Sequence, residues 1–286
     1  METILAAIAS AEMPLDPAVK LIVFPGEGHE TIRLRRGDAL VESAAIYAQQ
    51  RHVFVVPGLY VQECALCLCL VDDRGQVVLE QKATHLNRSW AGDLQRGNEI
   101  RVAETPFGKV ALCVDVDVYK AEVLRITALQ GAEIVVSVQV IHTLDFTNEM
   151  ILAGAWQQAQ QNCLFILNTN NINGSIIGPC ETAGDLSGFL TPISNEYPLQ
   201  AQLSAGGRAA AYRDFPIFKS LNPPLYRRHI DELCSLPDCL GYKGFHAVGV
   251  SAISFQNSDL LLHHRHPDRV PVDMVEVGAA PHPLLV

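Results

Sequence analysis

Asp115 and Asp117 close the apolar run Val110-Ala-Leu-Cys-Val114. Being two residues apart on an extended chain, they project to one side. Two carboxylates at that spacing share a proton or hold a cation, and a carboxylate can also attack an electrophilic carbon. An Asp-x-Asp pair alone supplies too few ligands for a dedicated site, so Asp117 is read as structural and no metal is expected. Cys113 lies on the same strand face as Asp115 but about 6 to 7 Å deeper, where a thiol packs as core. Cys64-x-x-Cys67 is half of a zinc or redox motif with no second half. It runs into the continuous apolar segment Ala65 to Val71, so Cys67 and Cys69 are read as small buried hydrophobes. His263, His264 and His266 form a third cluster; with no carboxylate or cysteine at fixed spacing it reads as a solvated tail.

The elements that must position these groups are short apolar strands separated by turns and amphipathic helices, the pattern of a layered α/β or α+β fold. Lys20 to Phe24 is a strand stopped by Pro25-Gly26. Leu40 to Gln50 has helical spacing, and His52 to Val56 is the next strand. Cys64 to Val71 and Gln76 to Gln81 flank the hairpin turn Asp72-Asp-Arg-Gly75. Ala121 to Gln130 is a helix ended by Gly131, followed by a strand over Glu133 to Ile141. Glu149 to Asn162 and Cys163 to Asn168 repeat that helix-strand order.

At 286 residues and 49% hydrophobic content the chain can bury a substantial core. A net charge of -10 argues against nucleic-acid partners, which need clustered cations; the short basic patches at Arg33 to Arg36 and Tyr226 to His229 read as solvated faces. The N-terminus lacks the basic region of a secretory signal, and no apolar run reaches the roughly 18 residues that span a bilayer. A cytoplasmic protein without a membrane partner is expected. No nucleotide-binding motif is present, so no cofactor is expected.

The stretch Thr105-Pro-Phe-Gly-Lys-Val-Ala-Leu-Cys-Val-Asp-Val-Asp-Val-Tyr-Lys-Ala-Glu, continued by Leu129-Gln-Gly-Ala-Glu133, resembles the nucleophile region of the nitrilase, or carbon–nitrogen hydrolase, superfamily. Ala45 to Gly58, Gln158 to Asn170 and Asn222-Pro-Pro-Leu-Tyr-Arg-Arg228 extend the likeness in order over roughly residues 20 to 230. The resemblance implies a four-layer αββα sandwich over 1–236 and a C-terminal arm over 237–286, packed on the core or across a dimer. Only 24 residues precede Pro25, which leaves the first edge strand missing or replaced. It also implies a homodimer formed by the helices over Lys120 to Gln130 and Ile151 to Gln161.

The family's chemistry uses a glutamate, a lysine and a cysteine. The resemblance puts these positions at Gly26, Ala83 and Asp115. Glu27, Lys82 and Cys113 lie one, one and two residues away. No catalytic residue is therefore expected, and Glu27, His85, Trp90, Asp115 and Asp117 are the candidates to line a remnant ligand pocket. The leading reading is a pseudoenzyme that binds a small molecule or a partner. Its alternatives are an amidase-class hydrolase using Glu27, Lys82 and Cys113 or an altered reaction at Asp115, and a structural subunit acting through its dimer surface.

Overall fold

The structure, a computed structural model, describes residues 1–141 and 147–234. The arm expected at 237–286 and the histidines at 263, 264 and 266 lie outside the described residues. The chain divides into two compact units, Met1–Pro223 and Pro224–Val286. The described part of the second belongs to a helix, Pro223–Cys234, opened by a proline pair where a missing N–H costs nothing.

Among its described residues the first unit holds twelve strands. Seven of them form one sheet: β1 (Ile4–Ile8), β2 (Val19–Val23), β3 (Phe54–Val56), β4 (Tyr60–Gln62), β5 (Ala65–Val71), β6 (Val77–Lys82) and β12 (Leu199–Leu203). Its order is β12-β1-β2-β3-β5-β4, with β6 paired to β5. The second sheet has the order β11-β10-β9-β8-β7, made of β7 (Val102–Thr105), β8 (Gly108–Val114), β9 (Ile134–Val138), β10 (Phe165–Thr169) and β11 (Gly174–Ile177). Its three central strands are parallel, and the crossovers between them are helical, the usual way to join parallel neighbours.

Three hydrophobic clusters fill the three spaces between four layers. The largest lies between the sheets, where Leu66, Leu68 and Leu70 of β5 meet Val110, Leu112 and Val114 of β8. The other face of the first sheet, with Cys67, Cys69 and Val71, packs on Ala44 and Ala48 of the long helix Gly37–Arg51. The other face of the second sheet, with Ala111, Cys113, Val135 and Ile166, packs on Val123, Leu124 and Ala128 of Ala121–Leu129 and on Ala155 and Ala159 of the helix after β9. Because side chains alternate along a strand, one uninterrupted apolar run supplies two cores. This is the αββα sandwich that the resemblance implies.

One expectation is corrected. The N-terminal segment does contain a strand: β1 runs parallel to β2 and antiparallel to β12. The short feature is instead the connection from β1 to β2, which spans Ala9 to Ala18 and contains no helix. Ile4, Ala6 and Ile8 reach the inter-sheet core, which fixes the strand's register.

The helix expected over Glu149 to Asn162 is continuous but not uniform. An α-helical turn at Asn148–Ile151 leads into a π-helical segment, Leu152–Trp156, and back to α-helix at Gln157–Asn162. The parallel strands end at one pole of the sandwich, and there the segments after β2, β8, β9 and β10 come together.

Candidate functional site

Asp115 sits at the C-terminal end of β8, where the chain leaves the strand for a 3-10 turn over Asp115–Tyr119. Its φ is +53°, a left-handed conformation that costs a non-glycine residue about 1 to 3 kcal/mol and persists only where the surroundings impose it. The side chain is 1% exposed. One carboxylate oxygen accepts from the Val140 N–H at 3.0 Å and the other from Asn87 Nδ2 at 2.6 Å. Burial pushes the Asp115 carboxyl up to about 6, and Asp117 adds to the rise, while the Val140, Trp90 and Val116 N–H groups pull it down.

Asp117 points elsewhere. Its Oδ2 accepts from the Thr84 N–H at 2.8 Å, and its Oδ1 accepts from Thr84 Oγ1 at 2.7 Å, the His85 N–H at 2.9 Å and His85 Nδ1 at 2.9 Å. Four donors saturate this carboxylate and tie the segment after β6 to the turn after β8. His85 is thereby oriented, with its Nε2 3.7 Å from Glu122. The two aspartates therefore hold different partners instead of converging on one cation. Among the described residues no group of three or more His, Cys, Asp or Glu side chains is placed to hold a metal ion.

Each position at which the resemblance places the family's catalytic groups can be located. Gly26 donates its N–H to Thr169 Oγ1 at 3.3 Å. A Cβ built on Gly26 would lie 2.6 Å from the Asn170 carbonyl carbon and 2.7 Å from its Cα, so backbone occupies the space any side chain would need. Ala83 is fully buried in the inter-sheet core, its N–H bonded to Leu66 O and its carbonyl to the Gly97 N–H.

The displaced candidates do not converge. Glu27 is ion-paired with Arg35. Lys82 reaches outward to Glu63 at 3.3 Å. Cys113 faces the helix layer beside Ser137, and burial, reinforced by the neighbouring Asp117, raises its thiol well above the usual range. A thiol held protonated is a poor nucleophile.

Trp90 caps the inter-sheet core above this pole and is 1% exposed. The His29 ring packs against it at 4.1 Å between centroids, tilted by 47°, and the Arg33 guanidinium lies 5.6 Å from its ring centre. Arg33 is anchored in turn by Asp93 at 2.7 Å and by Ser89 O at 3.0 Å. His29 and Arg33 belong to a short helix, His29–Leu34, which begins two residues after Glu27, past its N-cap Gly28.

Of the five candidate pocket residues, Asp115 and Trp90 share one buried environment, Asp117 and His85 form a separate bonded pair, and Glu27 is engaged with Arg35. Asn87, Thr84, Arg35 and Asn170 are the partners that sequence reasoning missed. Thr84 stands beside His85 and Asn87 just after Leu86, so their nearness was in view; the Arg33 to Arg36 patch, read as a solvated face, instead turns Arg35 onto Glu27, and Asn170 left no local signal.

No protein-family model matches the chain, and no curated protein sequence matches it. Solved structures do. A carbon–nitrogen hydrolase from Helicobacter pylori G27 superposes with a TM-score of 0.63 at 16% identity, covering 79% of this chain and 98% of that one. Saccharomyces cerevisiae Nit3, a member of branch 10 of the nitrilase superfamily, gives 0.64 at 13% identity, covering 77% and 96%. A variant of the amidase from Nesterenkonia sp. AN1, which carries an acetamide moiety covalently added at its active-site cysteine, gives 0.60 at 14% identity, covering 79% and 96%. The four layers, the strand order and these superpositions give this chain the fold of the nitrilase superfamily.

Proposed function

We propose that this chain is a nitrilase-fold pseudoenzyme, which keeps the scaffold, lacks a glutamate, lysine and cysteine at Gly26, Ala83 and Asp115, and works by binding a small molecule or a partner. The observation that carries this reading is the Asn170 backbone, 2.6 to 2.7 Å from any Cβ at Gly26. A proton-accepting side chain there would require the segment after β10 to move. The hydrolase alternative needs Glu27, Lys82 and a nucleophile at one point, and Glu27 and Lys82 are each paired with a different residue. An altered reaction at Asp115 lacks an oxyanion-stabilising lysine, and both oxygens of that carboxylate already accept hydrogen bonds.

The test is a panel of aliphatic amides and nitriles incubated with the full chain, together with a cysteine-directed electrophilic amide. The expected outcome is no turnover and no adduct at Cys113. Turnover that disappears in Cys113→Ser or Asp115→Asn would replace this reading with the hydrolase one.

A homodimer belongs to the same proposal. Ile126 and Leu129 on the helix Ala121–Leu129, and Leu152 on the π-helical segment, are large apolar side chains left exposed on the outer helix layer. Covering them with the same face of a second copy gives the self-complementary contact of a two-fold dimer. Light scattering at micromolar concentration is expected to give twice the chain mass, and Ile126→Glu with Leu129→Glu to give the monomer. A monomeric wild type would instead leave this face to a different protein. A cytoplasmic location is proposed with it: no described helix is long and apolar enough to cross a membrane.

A further inference from the structure

A polar row crosses the helix-facing side of the second sheet. Cys113, Ser137, Asn168 and Ser175 are register partners on β8, β9, β10 and β11. The neighbouring row on the same face, Ala111, Val135, Ile166 and Ile177, is apolar, as a packed interlayer space demands. Ser137, Asn168 and Ser175 are fully buried. A hydrogen-bond chain enters the row from the turn after Asp115. Tyr119 OH donates to Gln139 Oε1 at 2.9 Å, and Gln139 Nε2 donates to Asn168 Oδ1 at 2.5 Å. That bond fixes which way the Asn168 amide faces and leaves Nδ2 as its free donor.

Asn168 Nδ2 and Ser137 Oγ make no well-formed hydrogen bond to any described group. Ser175 is already spent, donating to Thr191 O at 3.0 Å. The Cys113 thiol beside Ser137 is only a weak hydrogen-bonding group. A buried amide donor without a partner, in register with a buried hydroxyl that has only the Cys113 thiol to lean on, is costly. Interior waters occupy sites of this kind, making about 2 to 4 hydrogen bonds each.

We propose that one buried water molecule sits in this row, accepting from Asn168 Nδ2 and donating to Ser137 Oγ, with the Cys113 sulfur as its third neighbour. The water completes a directed chain from Tyr119 through Gln139 and Asn168 to β9. It thereby holds the 3-10 turn at Asp115 to the centre of the sheet. The π-helical segment roofs this region: a Cβ on Gly154 would lie 2.8 Å from the Tyr119 ring, so glycine is what lets that ring seat beneath the helix.

A crystal structure of the full chain at about 1.5 Å is expected to show a density peak within about 2.7 to 3.2 Å of both atoms. A direct Ser137–Asn168 hydrogen bond, or a dry gap between them, would overturn the proposal. Water-oxygen magnetic relaxation dispersion gives a reading in solution. The wild type is expected to hold one more long-lived internal water than Ser137→Ala, and an equal count in the two proteins counts against the site.

Discussion

Asn87 can offer Asp115 only a donor. Its own oxygen is taken by the Ser89 N–H at 2.9 Å, which turns Nδ2 toward the carboxylate. The fixed N–H donors around Asp115 suit its charged form, while burial opposes it, and burial is the larger effect. A carboxyl raised from 3.8 to about 6 in the folded state stabilises the fold at low pH, where it is protonated in both states. That contribution is lost as pH rises from about 4 through 6. The shift corresponds to about 3 kcal/mol. Urea unfolding of wild type and Asp115→Asn should therefore move in favour of the variant by that order between pH 4 and pH 7.5, and a constant difference would mean Asp115 keeps an ordinary pKa. Gly26 supports a second prediction. Gly26→Ala forces a Cβ against the Asn170 backbone and is expected to cost about 1 to 3 kcal/mol in thermal or urea unfolding. Introducing glutamate, lysine and cysteine together at Gly26, Ala83 and Asp115 should then give no amidase activity, since the first two sites have no room. The substitutions themselves were legible in the sequence. The close approach of Asn170 was not, because the two residues are 144 positions apart and a backbone contact leaves no mark on residue type.

Element positions were legible wherever a period was strong. The helix Gly37–Arg51, the hairpin of β5 and β6, and the helix before Gly131 lie where spacing and turn residues placed them. The π-helical segment was not, because its extra residue leaves an apolar pattern that still reads as helical over fourteen residues. β1 was missed for a different reason: its partners β2 and β12 are set by tertiary pairing, and its burial alternates only weakly. Helix ends offer a test at this scale. The long helix closes on His52 with φ +53°, a left-handed cap that usually belongs to glycine. His52→Gly keeps that geometry without the Cβ strain and is expected to raise stability by up to about 1 kcal/mol, read as a higher melting temperature. A lowered melting temperature would mean that the His52 side chain contributes more than its conformation costs.

Across the whole molecule the inter-sheet cluster carries most of the burial, so Leu68→Ala, at the middle of β5, is expected to cost about 2 to 5 kcal/mol in urea unfolding. The sandwich was legible only through the order of several weak motifs. At 13 to 16% identity to the solved structures, few individual residues are shared, so no single motif could carry the fold. The cysteines turn this layering into a measurement. Cys67 and Cys69 sit between the first sheet and its helix with thiols pushed up to about 12, chiefly by burial, while Cys113 sits between the second sheet and its own helices, also raised by burial. Cys64, at the head of the same strand as Cys67, is exposed. An alkylating reagent should therefore mark Cys64 at once and the other three only when a layer lifts. Peptide mass spectrometry of a labelling time course then times the departure of each helix layer separately, so the chain carries a built-in clock for the order in which its two outer layers open.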